Sequence, residues 1–371
     1  MRPQVSVAAT PSILGTFVLI GVSMAALFAI DTFLARMEHI ETEGQATRLF
    51  EEGERQAAAG HASDAVTSLR AAVAASRDNP EYKLALARAL LAAGRLGDAS
   101  AILAAILQND ATAGEPNLLL ARVRAREGKP AEAETYYHMA IYGHWPNDAA
   151  GNSVKARFEL IDLLVKQNAK SRLLAELLPL QDVASADAST RQRIGQLFLQ
   201  AGSPTHAAEV FRAILRQNPQ DGDAHAGLGE AEFARGNYRA ARADLDLGQR
   251  LKPRDPEIRR QLDECNQVLA LDPMLRGIDA AERYRRTTKV IQLILNDIDR
   301  CAGDSAVQST GLAGKAQQAL SRHVAASREN DAVEANLDLA EQLWQARRRL
   351  CTQPVQPDES TLELVLARVS Q

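Results

Sequence analysis

Aromatic residues make up only 4% of this 371-residue chain, and segments rich in valine, isoleucine, threonine and tyrosine are few. Strands prefer those residues, so their scarcity excludes a fold built mainly from β-sheets. Apolar residues nevertheless reach 46%, and alanine supplies much of that fraction, in alanine-rich runs such as 57–59 and 71–75. Because alanine has the highest helix propensity of the amino acids, the composition predicts an all-α fold.

The sequence also lacks the motifs on which common catalytic and cofactor sites are built. It has no His-Glu-x-x-His, no glycine-rich phosphate loop and no Gly-x-Ser-x-Gly turn, and its seven histidines and three cysteines show no zinc-ligand spacing. We therefore expect no enzyme activity, no metal, no cofactor and no small-molecule substrate. A formal net charge of −4 without a long basic stretch also argues against a nucleic-acid partner.

Charged residues are absent from residues 13–30, a stretch of 18 mostly apolar residues. At about 1.5 Å per residue, a helix of this length nearly crosses the hydrocarbon core of a bilayer, and apolar residues continue a little further. The pattern predicts a short tail (1–12), a transmembrane helix (13–34) and a linker (35–45). Two alternatives stay open: a signal peptide with Ser23-Met24-Ala25 as its cleavage motif, and a helix buried in a soluble protein.

The residues that flank this stretch favour a chain that lies outside the cytoplasm. Arg2 and the α-amino group precede the stretch without any acid, and positive charge tends to stay on the cytoplasmic side. Only eight of the 43 basic residues are lysine, and together with the abundant alanine this favours a GC-rich bacterial genome. We therefore expect a single-pass protein of the bacterial inner membrane, with most of its chain in the periplasm.

Glycine recurs every 34 residues in two parts of the chain, at Gly60, Gly94 and Gly128 and again at Gly202 and Gly236. A glycine permits the left-handed backbone that ends a helix. An alanine follows each glycine after five residues and a large apolar or aromatic residue after nine, the alanines being Ala65, Ala99, Ala133, Ala207 and Ala241. Since a small residue lets two helices approach closely, the period predicts a series of helical hairpins.

This arrangement resembles the tetratricopeptide repeat family, whose period is also 34 residues with small residues at these offsets. The resemblance covers about residues 46–255, and with a capping helix the predicted array extends over 46–272. It implies a right-handed solenoid of helical hairpins that binds other proteins. One repeat is six residues longer than the others, with the surplus near 142–148 and with Asn168 in place of the glycine.

In such arrays the first helix of each hairpin lines the concave face, where we expect a protein or peptide partner to bind. Equivalent positions in this chain carry Leu84, Leu118 and Phe158, and Arg88 and Arg122 follow the two leucines after four residues. These five residues are the predicted groove site, which would hold the apolar side chains and a carboxylate of the partner. Alternatively, the apolar residues pack between helices and each arginine pairs with a local acid or extends into solvent.

Trp145 is a second candidate contact, because it lies in the insertion near 142–148. Loops tolerate change while the scaffold stays rigid, so binding residues are common there. The alternative is that Trp145 packs against its own repeat.

After residue 272 the 34-residue period ends, but helical patterning continues. We predict a helical region at 273–353, with helices near 278–301, 314–328 and 331–351, and a tail at 354–371. In an up-down-up bundle the first and third of these helices end on the same side. Cys301 and Cys351 stand at those two ends, so a disulfide between them is one prediction, and three free thiols are the alternative.

Together these patterns favour a membrane-anchored scaffold that mediates protein–protein interactions in envelope or membrane-complex assembly. The alternative function is a catalytic or non-catalytic subunit of an envelope transport or biogenesis system, with its activity in the C-terminal helical region.

Overall fold

The structure, a computed structural model, describes residues 13–183, 187–303, 306–321, 329–351 and 360–369. Within these ranges the secondary structure is helical, and the only β-type pairing is an isolated bridge between Ala113 and His144. The all-α prediction is therefore confirmed for the described residues. The chain divides into two compact units, Met1–Asn168 and Ala169–Gln371.

The first unit is a series of helical hairpins. Its helices are α1 (Ile13–Ala58), α2 (Ala62–Ala75), α3 (Pro80–Ala92), α4 (Leu96–Asn109), α5 (Gly114–Arg126), α6 (Pro130–Ile141) and α7 (Ala149–Lys166). Two of them, α3 and α7, begin at a side-chain cap: the Asn79 side chain, for example, accepts hydrogen bonds from the backbone N–H groups of Glu81 and Tyr82 at the start of α3.

Helix α1 is continuous over 46 residues, so the predicted linker, 35–45, is helical. None of the helices, as far as the structure describes them, is long and apolar enough to cross a membrane. This finding gives no support to the transmembrane helix predicted at 13–34, which stays a prediction. The side chains of its first residues, 13–20, lie outside the described part of the structure.

The predicted turns between paired helices are confirmed by the backbone. The five glycines of the repeat, Gly60, Gly94, Gly128, Gly202 and Gly236, have φ angles between 73° and 81°. Asn168, which takes the place of a glycine, has a φ of 52°. Asparagine enters this left-handed region at lower cost than most residues, which explains why the substitution is compatible with the turn.

The predicted close approach of paired helices is also present. All five repeat alanines (Ala65, Ala99, Ala133, Ala207 and Ala241) have no exposed surface. Small residues on the first helix of a hairpin meet large ones on the second: a Cβ added to Gly195 would lie 2.6 Å from the Phe211 ring, and one added to Gly229 would lie 2.6 Å from Leu245. These glycines are therefore required by packing rather than by backbone conformation.

The second unit contains the remaining hairpins and the C-terminal helices. Its helices are α8 (Lys170–Val183), α9 (Ala188–Gln200), α10 (Pro204–Gln217), α11 (Gly222–Ala234), α12 (Tyr238–Leu251), α13 (Pro256–Leu271), α14 (Ala280–Ala302), α15 (Ala306–Ser309), α16 (Ala313–Ser321), α17 (Glu329–Leu350) and α18 (Ser360–Val369). One buried apolar cluster joins α12, α13, α14, α17 and α18.

Three links join α14 to α17 at nearly constant sequence separation. The Asn336 side-chain amide donates to the Thr287 hydroxyl at 3.1 Å, and the Arg347 guanidinium donates to the Asp297 carboxylate at 2.7 Å; both contacts are buried. At the ends of the two helices Cys301 and Cys351 form a disulfide, with Cα atoms 5.6 Å apart. The two helices therefore run in the same direction, and the predicted cysteine pairing is confirmed.

Candidate partner-binding face

The first helices of successive hairpins in the first unit, α1, α3, α5 and α7, contact one another in sequence order. We call the side they form the first-helix face. Leu84 and Phe158 are half-buried on these helices, whereas Leu118 is buried with 4% of its surface exposed. Of the three apolar residues predicted to bind a partner, Leu118 thus packs inside the repeat, and Leu84 and Phe158 keep part of their surface accessible.

Arg122 is held firmly in this face. Its guanidinium donates two hydrogen bonds to the Glu159 carboxylate, from Nε at 2.8 Å and from Nη2 at 2.6 Å. Two parallel bonds of this kind combine geometric specificity with charge. Burial and the negative charge of Glu159 raise the pKa of the neighbouring Tyr137 to about 12. The arrangement matches the predicted alternative, in which Arg122 pairs with an acid of its own chain.

Arg88 has a looser environment. Its side chain is 42% exposed, and it lies 3.9 Å from Glu54 on α1 and 3.4 Å from Glu115 on α5. Such exposed pairs contribute between about 0 and 1 kcal/mol. Exchanging one of them for a carboxylate of a ligand therefore costs little, and of the two predicted arginines Arg88 is the one that is accessible.

The structure places Trp145 in the interior rather than in solvent. Only 8% of its surface is exposed, its indole N–H donates to the Ala140 carbonyl at 2.9 Å, and its ring lies against Gly114, where a Cβ would overlap it. The inserted loop is fixed to the preceding turn by backbone bonds between His144 and Thr112 at 2.7 Å and between Gly114 and His144 at 2.8 Å. Trp145 therefore packs as in the alternative given above, against its own repeat, and a partner contact at this residue stays a prediction.

Tyr142 is the aromatic residue that this loop exposes, with 75% of its surface accessible. The Arg157 guanidinium lies 5.6 Å from the centre of its ring. The sequence marked the loop but gave no indication of which aromatic faces solvent. Tyr142 directly follows Ile141, the buried last residue of α6, so the helical pattern no longer determines where its side chain points. This position at the end of the helix is the one feature of the sequence that could have suggested its exposure.

Two segments of the chain match family models described as tetratricopeptide repeat, residues 56–123 and residues 193–256. The first segment lies in the first unit and the second segment in the second. No curated protein matches the chain.

Several solved structures resemble parts of this chain. The structure titled YrrB, a TPR protein with an unusual peptide-binding site, is 19% identical with a TM-score of 0.42, and the match covers 53% of this chain and 97% of that one. The C-terminal part of a TPR repeat-containing protein from Cytophaga hutchinsonii is 12% identical with a TM-score of 0.46, covering 74% and 100%. PilW, titled a type IV pilus biogenesis factor, is 16% identical with a TM-score of 0.40, covering 58% and 98%.

Helical hairpins with this spacing define a helical-repeat protein. More particularly, this chain contains tetratricopeptide repeats in each of its two units. In the described ranges no group of histidine, cysteine, aspartate and glutamate side chains is arranged to hold a metal ion.

Proposed function

We propose that this protein is a non-catalytic scaffold that binds a protein partner through the first-helix face of its first unit. The observation that carries the proposal is the accessibility of Arg88 beside the half-buried Leu84. A cation with weakly held partners next to apolar surface suits an extended peptide that presents a carboxylate and an apolar side chain. Arg122, fixed by Glu159, maintains the spacing of α5 and α7 instead of contacting the partner.

In-cell crosslinking followed by mass spectrometry tests this proposal, because it identifies the bound protein. For the strongest crosslinked partner we expect Arg88→Ala to lower recovery about tenfold, the effect of losing one charge-assisted hydrogen bond. The salt dependence of binding also becomes flatter, since one ionic contact is lost. Melting of the variant should change little.

Two matched arginine variants serve as controls. Arg70→Ala removes an exposed arginine on α2, away from the first-helix face, and should leave recovery unchanged. Arg122→Ala should lower the free energy of unfolding by about 1 kcal/mol, with any loss of binding following from that destabilisation. Equal recovery and equal salt dependence for Arg88→Ala and the wild type exclude the first-helix face as the binding site.

The same proposal extends to location: a scaffold of the bacterial envelope, anchored in the inner membrane by the start of α1, with both units in the periplasm. Large apolar side chains are exposed along α1 at Val22, Met24, Leu27, Phe28, Ile30, Phe33 and Met37. Water is an unfavourable environment for a contiguous apolar surface, and a bilayer would cover it. The disulfide between Cys301 and Cys351 supports an oxidising compartment, where such bonds persist.

A further inference from the structure

The repeat position that carries Glu54, Arg88, Arg122 and Asp162 in the first unit continues into the second without a cation. Steps of 34 residues along the second unit place Gln196, Glu230 and Glu264 at this position. They lie on α9, α11 and α13, and α11 contacts both of the other helices. The first unit thus offers two cations flanked by two carboxylates at this position, and the second offers an amide followed by two carboxylates.

A cleft of about 170 Å³ opens at these carboxylates, between α11 and α13. Its walls are formed by Glu230, Phe233, Leu245, Arg260, Gln261 and Glu264. Pockets that enclose a drug-sized molecule are about 300–1,000 Å³, so this cleft is suited to the end of a single side chain. Leu245 is fully buried at its base and Phe233 is half-buried, which makes one side of the cleft apolar.

Glu230 is held in this cleft at an electrostatic cost. Burial raises the pKa of its carboxyl group, although a hydrogen bond from the Gln196 side chain acts in the opposite direction. The nearby cation, Arg260, is 62% exposed and is shared with two other acids: it lies 2.6 Å from Glu257 and 3.3 Å from Glu264. Three carboxylates therefore surround one guanidinium, and the cleft retains a negative charge.

We infer that this cleft binds a basic side chain, arginine or lysine, of a partner protein. The cation of the ligand would pair with Glu230 and Glu264, while its aliphatic stem would lie along the half-buried Phe233. Charge complementarity selects this occupant, because the cation beside the partly desolvated Glu230, Arg260, is shared with Glu257 and Glu264, and an acidic or neutral side chain adds no further positive charge. The inference rests on the proposed scaffold function, but it concerns a second contact that does not involve Arg88.

Nonapeptide pools with a central arginine test the inference on the immobilised full-length chain. The matched pools carry central citrulline, which keeps the shape of arginine without its charge, and all other positions are random mixtures of uncharged residues. We expect the wild type to retain the arginine pool about tenfold more strongly than the citrulline pool. Glu230→Gln should abolish that difference, whereas Asp246→Asn, which neutralises an exposed carboxylate on α12, should preserve it.

The stability of Glu230→Gln separates loss of binding from loss of folding. Because burial raises the pKa of Glu230 in the folded state, the ionised carboxylate opposes folding, and this penalty grows as pH rises through that pKa. The variant should therefore melt at pH 7 no lower than the wild type.

Equal retention of the two pools by the wild type overturns the inference, as does an arginine preference that survives in Glu230→Gln. Arg88→Ala should not alter the preference. Its effect on partner recovery tests the proposed function independently.

Discussion

Trp145 and Tyr142 stand three residues apart in the same loop and have opposite environments, one 8% and the other 75% exposed. Trp145→Ala should therefore lower the free energy of unfolding by about 3 kcal/mol, because it leaves a cavity beside Gly114 and removes the indole hydrogen bond to the Ala140 carbonyl. Urea denaturation followed by circular dichroism measures the change.

Tyr142→Ala is the control for that experiment and should change the free energy of unfolding by less than about 0.5 kcal/mol. If the two variants are equally stable, Trp145 does not anchor the loop. A selective loss of partner binding in Tyr142→Ala would show that the insertion presents this residue to a partner.

At the scale of single residues, the sequence predicted the environments of residues that recur with the repeat period, but not those that depend on residues outside that period. Ala99 and Gly94 were predictable because each repeats a position that packing or turn geometry constrains. The difference between Arg88 and Arg122 was not, since it depends on acids from other helices. Glu115 follows Arg88 after 27 residues and Glu159 follows Arg122 after 37, and no period connects these two separations.

At the scale of helices, α14 and α17 show how much a helical pattern can predict. The apolar stripe of α14, with Val290, Ile291 and Ile294 buried, was evident in the sequence. The buried pair of Asp297 and Arg347 was not, because isolated charges on amphipathic helices are usually solvent-exposed. Two opposite charges can be buried together only if they lie within pairing distance of each other. Whether they do depends on the register between the two helices, which the sequence does not show.

Thiol counting tests the covalent link between these helices. The denatured, unreduced chain should contain one free thiol, Cys265, and the reduced chain three, because Cys301 and Cys351 are bridged. In the native state Cys265 should react slowly with thiol reagents near pH 8, since it is buried and burial raises its pKa to about 11.

Three free thiols without reductant contradict the pairing. The double variant Cys301→Ser and Cys351→Ser measures how much the disulfide contributes to the free energy of unfolding. It should lose about 4 kcal/mol of unfolding free energy on the loop-entropy estimate for a separation of 50 residues.

At the scale of the whole chain, the proposed location makes a prediction about topology. Reporter fusions after Arg36 and after Gln371 should both be active as periplasmic reporters and inactive as cytoplasmic ones, because the proposed orientation places both positions outside the cytoplasm. Cytoplasmic activity at either position contradicts the proposed orientation.

The division of the chain into two units at Asn168 is a feature that the sequence did not predict. The sequence indicated one array across this point, with an asparagine in place of a glycine and a longer repeat before it. Periodicity reports which residues occupy equivalent positions, but it does not report how strongly one hairpin packs on the next. The boundary between the units therefore became visible only in the structure.

The position shared by Arg88, Arg122, Gln196, Glu230 and Glu264 recurs once per hairpin, while the glycines and alanines that hold each hairpin together occupy other positions. Under the proposed function, recognition at Arg88 and Glu230 and packing at the glycines and alanines use separate positions of the same repeat. Natural selection can exchange one partner for another by substituting single residues at this position, and duplication of a hairpin adds one more recognition residue without redesign of the interior. The same separation makes the chain a suitable starting point for engineering ordered patterns of charge along a peptide-binding surface.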